Sequence, residues 1–265
     1  MLFRSFCDEI LVVDSGSSDP TVEIAQAHGA RVLTQDWLGY GRQKAFAVMQ
    51  ARHDWVLCID CDERIGPELS ETIRHELARP RANAYELCRR NRFMGRWLGH
   101  GEGYPDWTLR LFDRRHANWS TDPVHEKVLA SGTVLRLQGD FLHDSAETLE
   151  SYLHKQNRYT SLQAQSLHAQ GRQSGALLLF AAPLMRFIKF YIFKRGFLDG
   201  WAGLVHICIG SVYAWSTFNR PIMALLPGQP SWFSPPYTTF STALVFLGLS
   251  AAVGGPWVER RGPRR

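Results

Sequence analysis

Trp55-Val56-Leu57-Cys58-Ile59-Asp60-Cys61-Asp62-Glu63 is an apolar run that ends in two carboxylates one residue apart. A short run of this kind, rich in aromatic and β-branched side chains, predicts a buried strand over 55–59. Side chains alternate faces along a strand, so Asp60 and Asp62 at i, i+2 are expected on one side of the strand's end. Two hard oxygen ligands there suit Mg²⁺ or Mn²⁺. The C-terminal ends of strands are also where open α/β sheets bind ligands. By the same alternation Cys58 and Cys61 point to opposite faces, and no second C-x-x-C completes a zinc site, so both read as core residues.

On either side of this stretch, short apolar runs alternate with amphipathic segments. Strands are predicted over 9–13, 30–34, 83–90 and 107–112, and helices over 20–28, 41–52 and 67–78. Asp19 reads as an N-cap with Pro20 at the first helical position, and Pro67 opens the third helix in the same way. The order β-α-β-α-β-α-β predicts an α/β nucleotide-binding sheet flanked by helices. After Ser145 the chain changes character. Residues 146–170 have helical periodicity with mixed charge. Residues 176–193 are apolar but interrupted by Pro183, Arg186 and Lys189, and 201–218 carry no charge apart from a possible one on His206. A third apolar run at 237–255 precedes a basic end. Spanning a bilayer takes roughly 20 apolar residues, so these runs predict an α-helical, partly membrane-associated extension, lying in-plane, re-entrant or spanning. An internally packed helical subdomain is the alternative. The expected division is a sheet domain at 1–145, a helical extension at 146–225, and a Pro-rich linker, apolar segment and basic tail at 226–265.

The chain has 265 residues, 45% of them hydrophobic, enough for one substantial core with an appended region. A net charge of +5 suits an anionic partner such as a nucleotide sugar, a phosphorylated glycolipid or a membrane face; no nucleic acid is expected. Nine Trp fit sugar stacking and membrane interfaces as well as ordinary cores. Five scattered cysteines do not form a secreted disulfide framework. The first residues hold no apolar stretch of signal-peptide length, so the sheet domain is expected in the cytoplasm.

A second motif is Ile10-Leu11-Val12-Val13-Asp14-Ser15-Gly16-Ser17-Ser18-Asp19, a buried strand followed by a small polar turn and a capped helix. Asp14 at such a strand end can accept from a uracil N–H or a ribose hydroxyl, and Gly16 allows close backbone approach. Neither G-x-G-x-x-G nor G-K-[ST] is present, so dinucleotide and P-loop sites are not supported. An EF-hand loop counted from Asp60 places Glu71 twelfth but Arg64 fifth and Ile65 sixth, where Gly is needed, and it would follow a strand. A haloacid-dehalogenase-type phosphotransferase, with Asp60 as nucleophile, Asp62 as acid and Gly139-Asp140-Phe141-Leu142-His143-Asp144 as the late acidic motif, is the runner-up, although Glu63-Arg64 is the wrong continuation for it.

Asp14-Ser15-Gly16-Ser17-Ser18-Asp19 followed by Asp60-Cys61-Asp62-Glu63 resembles glycosyltransferase family 2, whose fold is GT-A. Gly103-Tyr104-Pro105-Asp106-Trp107-Thr108-Leu109-Arg110-Leu111-Phe112 and Val124-His125-Glu126-Lys127-Val128 are similar to the branch containing bacterial lipopolysaccharide core β-1,4-glucosyltransferases. The resemblance runs over roughly 8–205 and includes Gly196-Phe197-Leu198-Asp199-Gly200. It implies a metal-dependent, inverting transfer of a sugar, with glucose from UDP-glucose as the expected donor and a lipopolysaccharide core or lipid-linked saccharide as acceptor. The work would be done at the cytoplasmic face of the bacterial inner membrane. Asp14, Ser15 and Gly16 would meet the nucleoside, Asp60, Arg110 and His125 the diphosphate, and Asp60, Asp62 and His125 the metal. Asp106 falls where the family places the base for the acceptor hydroxyl, which direct displacement requires on the side opposite the leaving nucleotide. Glu126 and Trp107 are expected on the acceptor; Trp97 and Trp107 read equally well as sugar platforms and as core residues. Family members open with an apolar strand and a polar turn before the strand found here at Glu9. A late start codon, a fragment, or a shortened protein that binds without turnover are the three readings of that difference.

Overall fold

In the computed structural model, residues 6–120, 126–144, 148–158 and 176–216 are described. They divide into two units, one formed by 1–90 with 106–144 and the other by 91–105 with the chain from 145 onward.

The first unit begins with β1 (Leu11–Asp14), α1 (Thr21–Ala27) and β2 (Arg31–Thr34). β1 and β2 pair in parallel from Leu11↔Arg31 to Asp14↔Thr34, with α1 as the crossover that a parallel pair requires. Pro20 takes the cap position of α1, and Asp19 accepts from Thr21 N at 3.2 Å. The predicted capping residue therefore lies one position before the cap itself. α2 (Tyr40–Gln50) leads to β3 (Trp55–Leu57), then β4 (Glu63–Ile65), α3 (Pro67–Ala78), β5 (Ala84–Phe93), β6 (Arg96–Trp97), β7 (Asp106–Asp113), β8 (Ala117–Trp119), β9 (Val128–Ala130) and β10 (Val134–Asp144). The main sheet has the order β3-β7-β5-β10-β4, with β6 paired to β5, and β8-β9 form a separate hairpin. The regular β-α-β-α-β-α-β alternation thus holds only at the start. β3–β7, β5–β7 and β4–β10 are antiparallel, and the described strands β1 and β2 form a sheet of their own.

α3 shows why the sheet closes well. Leu69, Ile73 and Glu76 recur at three- and four-residue spacing and are all buried, the stripe expected of a helix laid on a sheet. Leu69 and Ile73 pack with Ile65, Tyr85, Leu87 and Phe141. Gly139 lies under this helix at φ +95°, where a Cβ would come within 2.9 Å of the Leu69 backbone, so α3 sits directly on β10. Glu76, the polar member of the stripe, accepts from Arg81 Nη2 at 2.7 Å and from the buried Tyr85 hydroxyl at 2.9 Å.

The second unit contains the end of β5, β6, α4 (149–158), α5 (Ala176–Phe187), a π-helical turn (Ile188–Phe193), a 3₁₀ turn (Gly196–Asp199) and α6 (Gly200–Ser216). Its core joins Phe93, Leu98, Ala202 and Ile209 with Leu149, Tyr152, Leu153 and Val205. Asp199 accepts from Gly99 N at 3.0 Å and His100 N at 2.9 Å, clasping the 91–105 segment. His206 stacks edge-on to Phe93 with centroids 5.1 Å apart, and burial, with the Arg186 charge adding to it, pushes its pKa down to about 4. Among the described residues no helix is long and apolar enough to cross a membrane. Residues 159–170 of the predicted mixed-charge helix, the apolar run at 237–255 and the basic end lie outside the described residues.

Candidate active site

β3 ends at Leu57, and the chain passes through Cys58 and Ile59 into a turn that holds Asp60, Cys61 and Asp62. Glu63 then opens β4. The turn is closed twice, by Glu63 N donating to Asp60 O at 3.0 Å and by Asp60 N donating to Glu63 Oε2 at 2.9 Å. Strand alternation therefore does not govern the acidic pair, and each carboxylate has its own partners. Cys61 is exposed in the turn rather than part of the core. Cys58 is half-buried and its Sγ accepts from Trp119 Nε1 at 3.3 Å.

Asp60 is met by two cations. Lys44 Nζ lies 3.1 Å from Oδ1 and 3.3 Å from Oδ2, and Arg110 Nη2 donates to Oδ2 at 3.0 Å. Partial burial raises its pKa, but the Arg110 and Lys44 charges outweigh that and hold the carboxyl below its usual range. Arg110 projects from β7 and also donates to Glu63 Oε1 at 2.8 Å, where the Glu63 side chain is fully buried. Arg110 Nη1 is buried too, and it has no hydrogen-bond partner among the described residues. A buried guanidinium N–H left unpaired is costly, and a ligand oxygen would complete it. Lys44 further reaches Glu126 Oε1 at 3.4 Å. The Trp119 ring lies against both cations, 4.6 Å from Lys44 Nζ and 5.6 Å from Arg110 Cζ.

Asp62 pairs differently. Its Oδ2 is 3.2 Å from His143 Nε2, and Asp144 N donates to its carbonyl at 2.9 Å. The β4–β10 register sets His143 opposite Glu63, which brings the imidazole beside the turn. His125 lies outside the described residues. Among the described residues no group of three His, Cys, Asp or Glu side chains converges on a metal position. Asp62 and His143 nevertheless offer an oxygen and a nitrogen donor together, a set that fits an ion taking its other ligands from phosphate and water.

The first motif is built from its own backbone. Asp14 is buried at the end of β1, where its Oδ2 accepts from Gly16 N at 2.9 Å and Ser17 N at 3.1 Å, and its Oδ1 from the Ser17 hydroxyl. The Ser17 hydroxyl bond and these amides hold its pKa below the usual carboxylate value. Ser15 Oγ accepts from Gln43 Nε2 at 2.9 Å. Consecutive residues of α2 thus connect the two motifs, Gln43 to the Asp14 turn and Lys44 to Asp60. Asp106, the first residue of β7, is opposite Arg89 in register. Arg89 donates to Asp106 Oδ2 from Nε at 2.9 Å and lies 2.7 Å away through Nη2. Trp107 has the Arg136 guanidinium over its ring at 4.7 Å, and Trp97 carries Arg92 at 5.7 Å.

The structure therefore brings Arg110 and Lys44 to Asp60 and Glu126 to Lys44, and joins Ser15 to Gln43, the residue before Lys44 on the same helix. Sequence reasoning missed Gln43, Lys44, Arg89, Trp119 and His143. Only His143 carried a signal, as part of the acidic stretch assigned to the phosphotransferase alternative.

The family model for glycosyl transferase family 2 matches residues 7–131. A chain described as an uncharacterized glycosyltransferase of Rickettsia typhi is 31% identical over 229 residues, which cover 82% of this chain and 77% of that one. The lipopolysaccharide core biosynthesis glycosyltransferase LpsC of Rhizobium meliloti is 28% identical, covering 80% of this chain and 81% of the relative. Among solved structures, residues 1-349 of S. aureus TarS in complex with UDP-GlcNAc align over 93% of this chain and 83% of that chain, with a TM-score of 0.42 and 13% identity. This chain belongs to glycosyltransferase family 2, and that membership displaces the Asp-nucleophile phosphotransferase reading.

Proposed function

We propose that the chain transfers glucose from UDP-glucose, with inversion, to a lipopolysaccharide core or lipid-linked saccharide at the cytoplasmic face of a bacterial inner membrane. The observation that carries the reading is Asp60 between Lys44 and Arg110, with a buried Arg110 N–H still to be satisfied. These two cations would take the donor's diphosphate oxygens, Arg110 as a planar fork and Lys44 as a mobile point charge. Asp14, Ser15 and Gly16 would hold the nucleoside. The name of the Rhizobium relative supports the choice of acceptor class.

In the reaction the acceptor hydroxyl oxygen bonds to the sugar's anomeric carbon. The bond from that carbon to the phosphate oxygen breaks, UDP departs with the electron pair, and the hydroxyl proton passes to a carboxylate. Asp106 is the proposed base, oriented by Arg89. A second reading assigns the proton to Glu126, because Asp106 is held by two nitrogens of one guanidinium whereas Glu126, among the described residues, has a 3.4 Å contact to the Lys44 that also serves Asp60. A divalent ion, Mg²⁺ or Mn²⁺, held by Asp62 and His143, with Asp60 and His125 as the further ligands expected from the resemblance, would neutralise charge on the departing diphosphate.

UDP release and glycosylated product from a lipid-linked acceptor, measured with and without Mn²⁺, test the assignment. The wild type is expected to turn over and to form a β-linkage. A retained anomeric configuration, or no donor binding, contradicts it. Replacing the base lowers kcat by about 10²-fold or more, so Asp106→Asn and Glu126→Gln separate the two readings by which one collapses kcat at unchanged donor KM.

A further inference from the structure

The bend joining α5 to α6 leaves large apolar side chains in water. Phe193 is 78% exposed, and Phe197, Leu198 and Trp201 are also exposed, each between about two-fifths and just over half. Met185 and Ile192, earlier in the same stretch, are exposed as well. Large apolar side chains grouped in this way mark a contact surface. The cations here are arranged among them: Lys189, Lys194 and Arg195 are all exposed in the same stretch, and the Arg96 guanidinium lies 5.8 Å from the Trp201 ring centroid. Asp199 is the only acid between 181 and 211, and its side chain is 9% exposed and occupied by the 99–100 backbone.

Ring contacts and a tight backbone turn shape the bend. Phe187 stacks on Tyr191 at 4.9 Å, and Tyr191 meets Phe197 edge-on at 6.2 Å. Arg195 adopts a left-handed conformation at φ 57°, which turns the chain between the π-helical and 3₁₀ segments. Gly196 is buried, and a Cβ there would come within 2.3 Å of Ile207 Cδ1 and 2.8 Å of the Phe190 carbonyl. With that face packed against α6, the aromatic side chains on the outer face have no described partner that shields them from solvent.

We propose that this bend is a docking surface for an anionic lipid bilayer. Its aromatic and aliphatic side chains would enter the interfacial region while its lysines and arginines meet lipid phosphates. The chemistry selects that partner because apolar insertion and positive charge coincide on one short segment, with Trp201 of the type that settles at interfaces. The proposal deepens the reading of a membrane-linked acceptor, and it can be tested without donor or acceptor.

The test is sedimentation of the full chain with phosphatidylcholine vesicles and with vesicles containing phosphatidylglycerol. The wild type is expected to bind the anionic vesicles. Phe193→Ser with Phe197→Ser should weaken binding at least about tenfold. Lys194→Gln with Arg195→Gln should remove the preference for phosphatidylglycerol while leaving the melting temperature unchanged. Failure of the wild type to bind, or binding indifferent to both double variants, overturns the proposal. So does a wild-type dimer that the Phe variants convert to monomer with no vesicle binding, since the face would then belong to a second copy. Donor turnover without vesicle binding would sink this proposal and leave the transfer reading standing; vesicle binding without donor binding would do the reverse.

Discussion

In the first unit Asp60 is paired with both Lys44 and Arg110, Arg110 is paired also with Glu63, and the Glu63 side chain is wholly removed from solvent. In the second unit Lys189, Lys194 and Arg195 stand exposed among aromatic side chains, and desolvation pushes the pKa of the half-buried His206 down to about 4. The difference lies in what each arrangement needs from outside. A dense cluster of paired charges with a donor left unsatisfied among the described residues asks for a small, multiply charged ligand in a defined geometry. Loose cations around an apolar surface ask only for an extended interface of the opposite charge.

The comparison can be broken most severely at Arg110. Arg110→Met takes away the nearer of two cations from the buried Glu63 carboxylate, which keeps Asp60 N at 2.9 Å and Arg89 Nη1 at 3.6 Å, so urea unfolding of the full chain should show a loss of about 3 kcal/mol. Adding Glu63→Gln should recover part of it, as coupling between contacting residues requires. A loss below about 1 kcal/mol would mean that the pair is not a buried one. Asp60→Asn should cut sugar transfer by about 10²- to 10³-fold while vesicle sedimentation is unchanged. Loss of both properties together would merge what are described as two separate functions.

Glu76 sharpens the comparison from a structural position. The Arg81 hydrogen bonds, opposed by desolvation and aided by Tyr85, lower its pKa to about 2. The folded value lies below the ordinary one, so its stabilisation is complete above the ordinary carboxylate pKa and is lost as pH falls toward about 2. Glu76→Gln should cost about 2 kcal/mol at neutral pH and flatten that part of the acid-unfolding curve. A variant with the wild-type acid profile would contradict the linkage. The smallest effect is expected at the exposed i,i+3 pair of Arg74 with Glu71. Arg74→Ala should change stability by no more than about 0.5 kcal/mol.

Much of the fold was legible because local rules controlled it. Pro67 at the first turn and the Leu69, Ile73 spacing predict 67–78, and α3 is Pro67–Ala78. Strand 55–59 shortened to Trp55–Leu57 because the chain turns early to let Asp60 N reach Glu63, a bond that apolar patterning does not encode. The sheet order was not legible, since antiparallel returns such as β4–β10 join segments far apart in sequence. The site divided along the same line. Asp14 and Asp60 were visible because each follows an apolar run directly. Lys44 looked like any charged residue on a helix, and His143 reaches Asp62 across a separation of 81 residues, so neither role had a local signature.

The central claim is that Lys44, Asp60 and Arg110 form the diphosphate site of a sugar-nucleotide donor. Calorimetric titration of the full chain with UDP and with uridine, repeated on Lys44→Ala, tests it most directly. The account predicts that UDP binds well and uridine poorly, and that Lys44→Ala weakens UDP at least about tenfold with uridine unchanged. Equal affinity for UDP and uridine, or UDP binding untouched by the loss of Lys44, would contradict it.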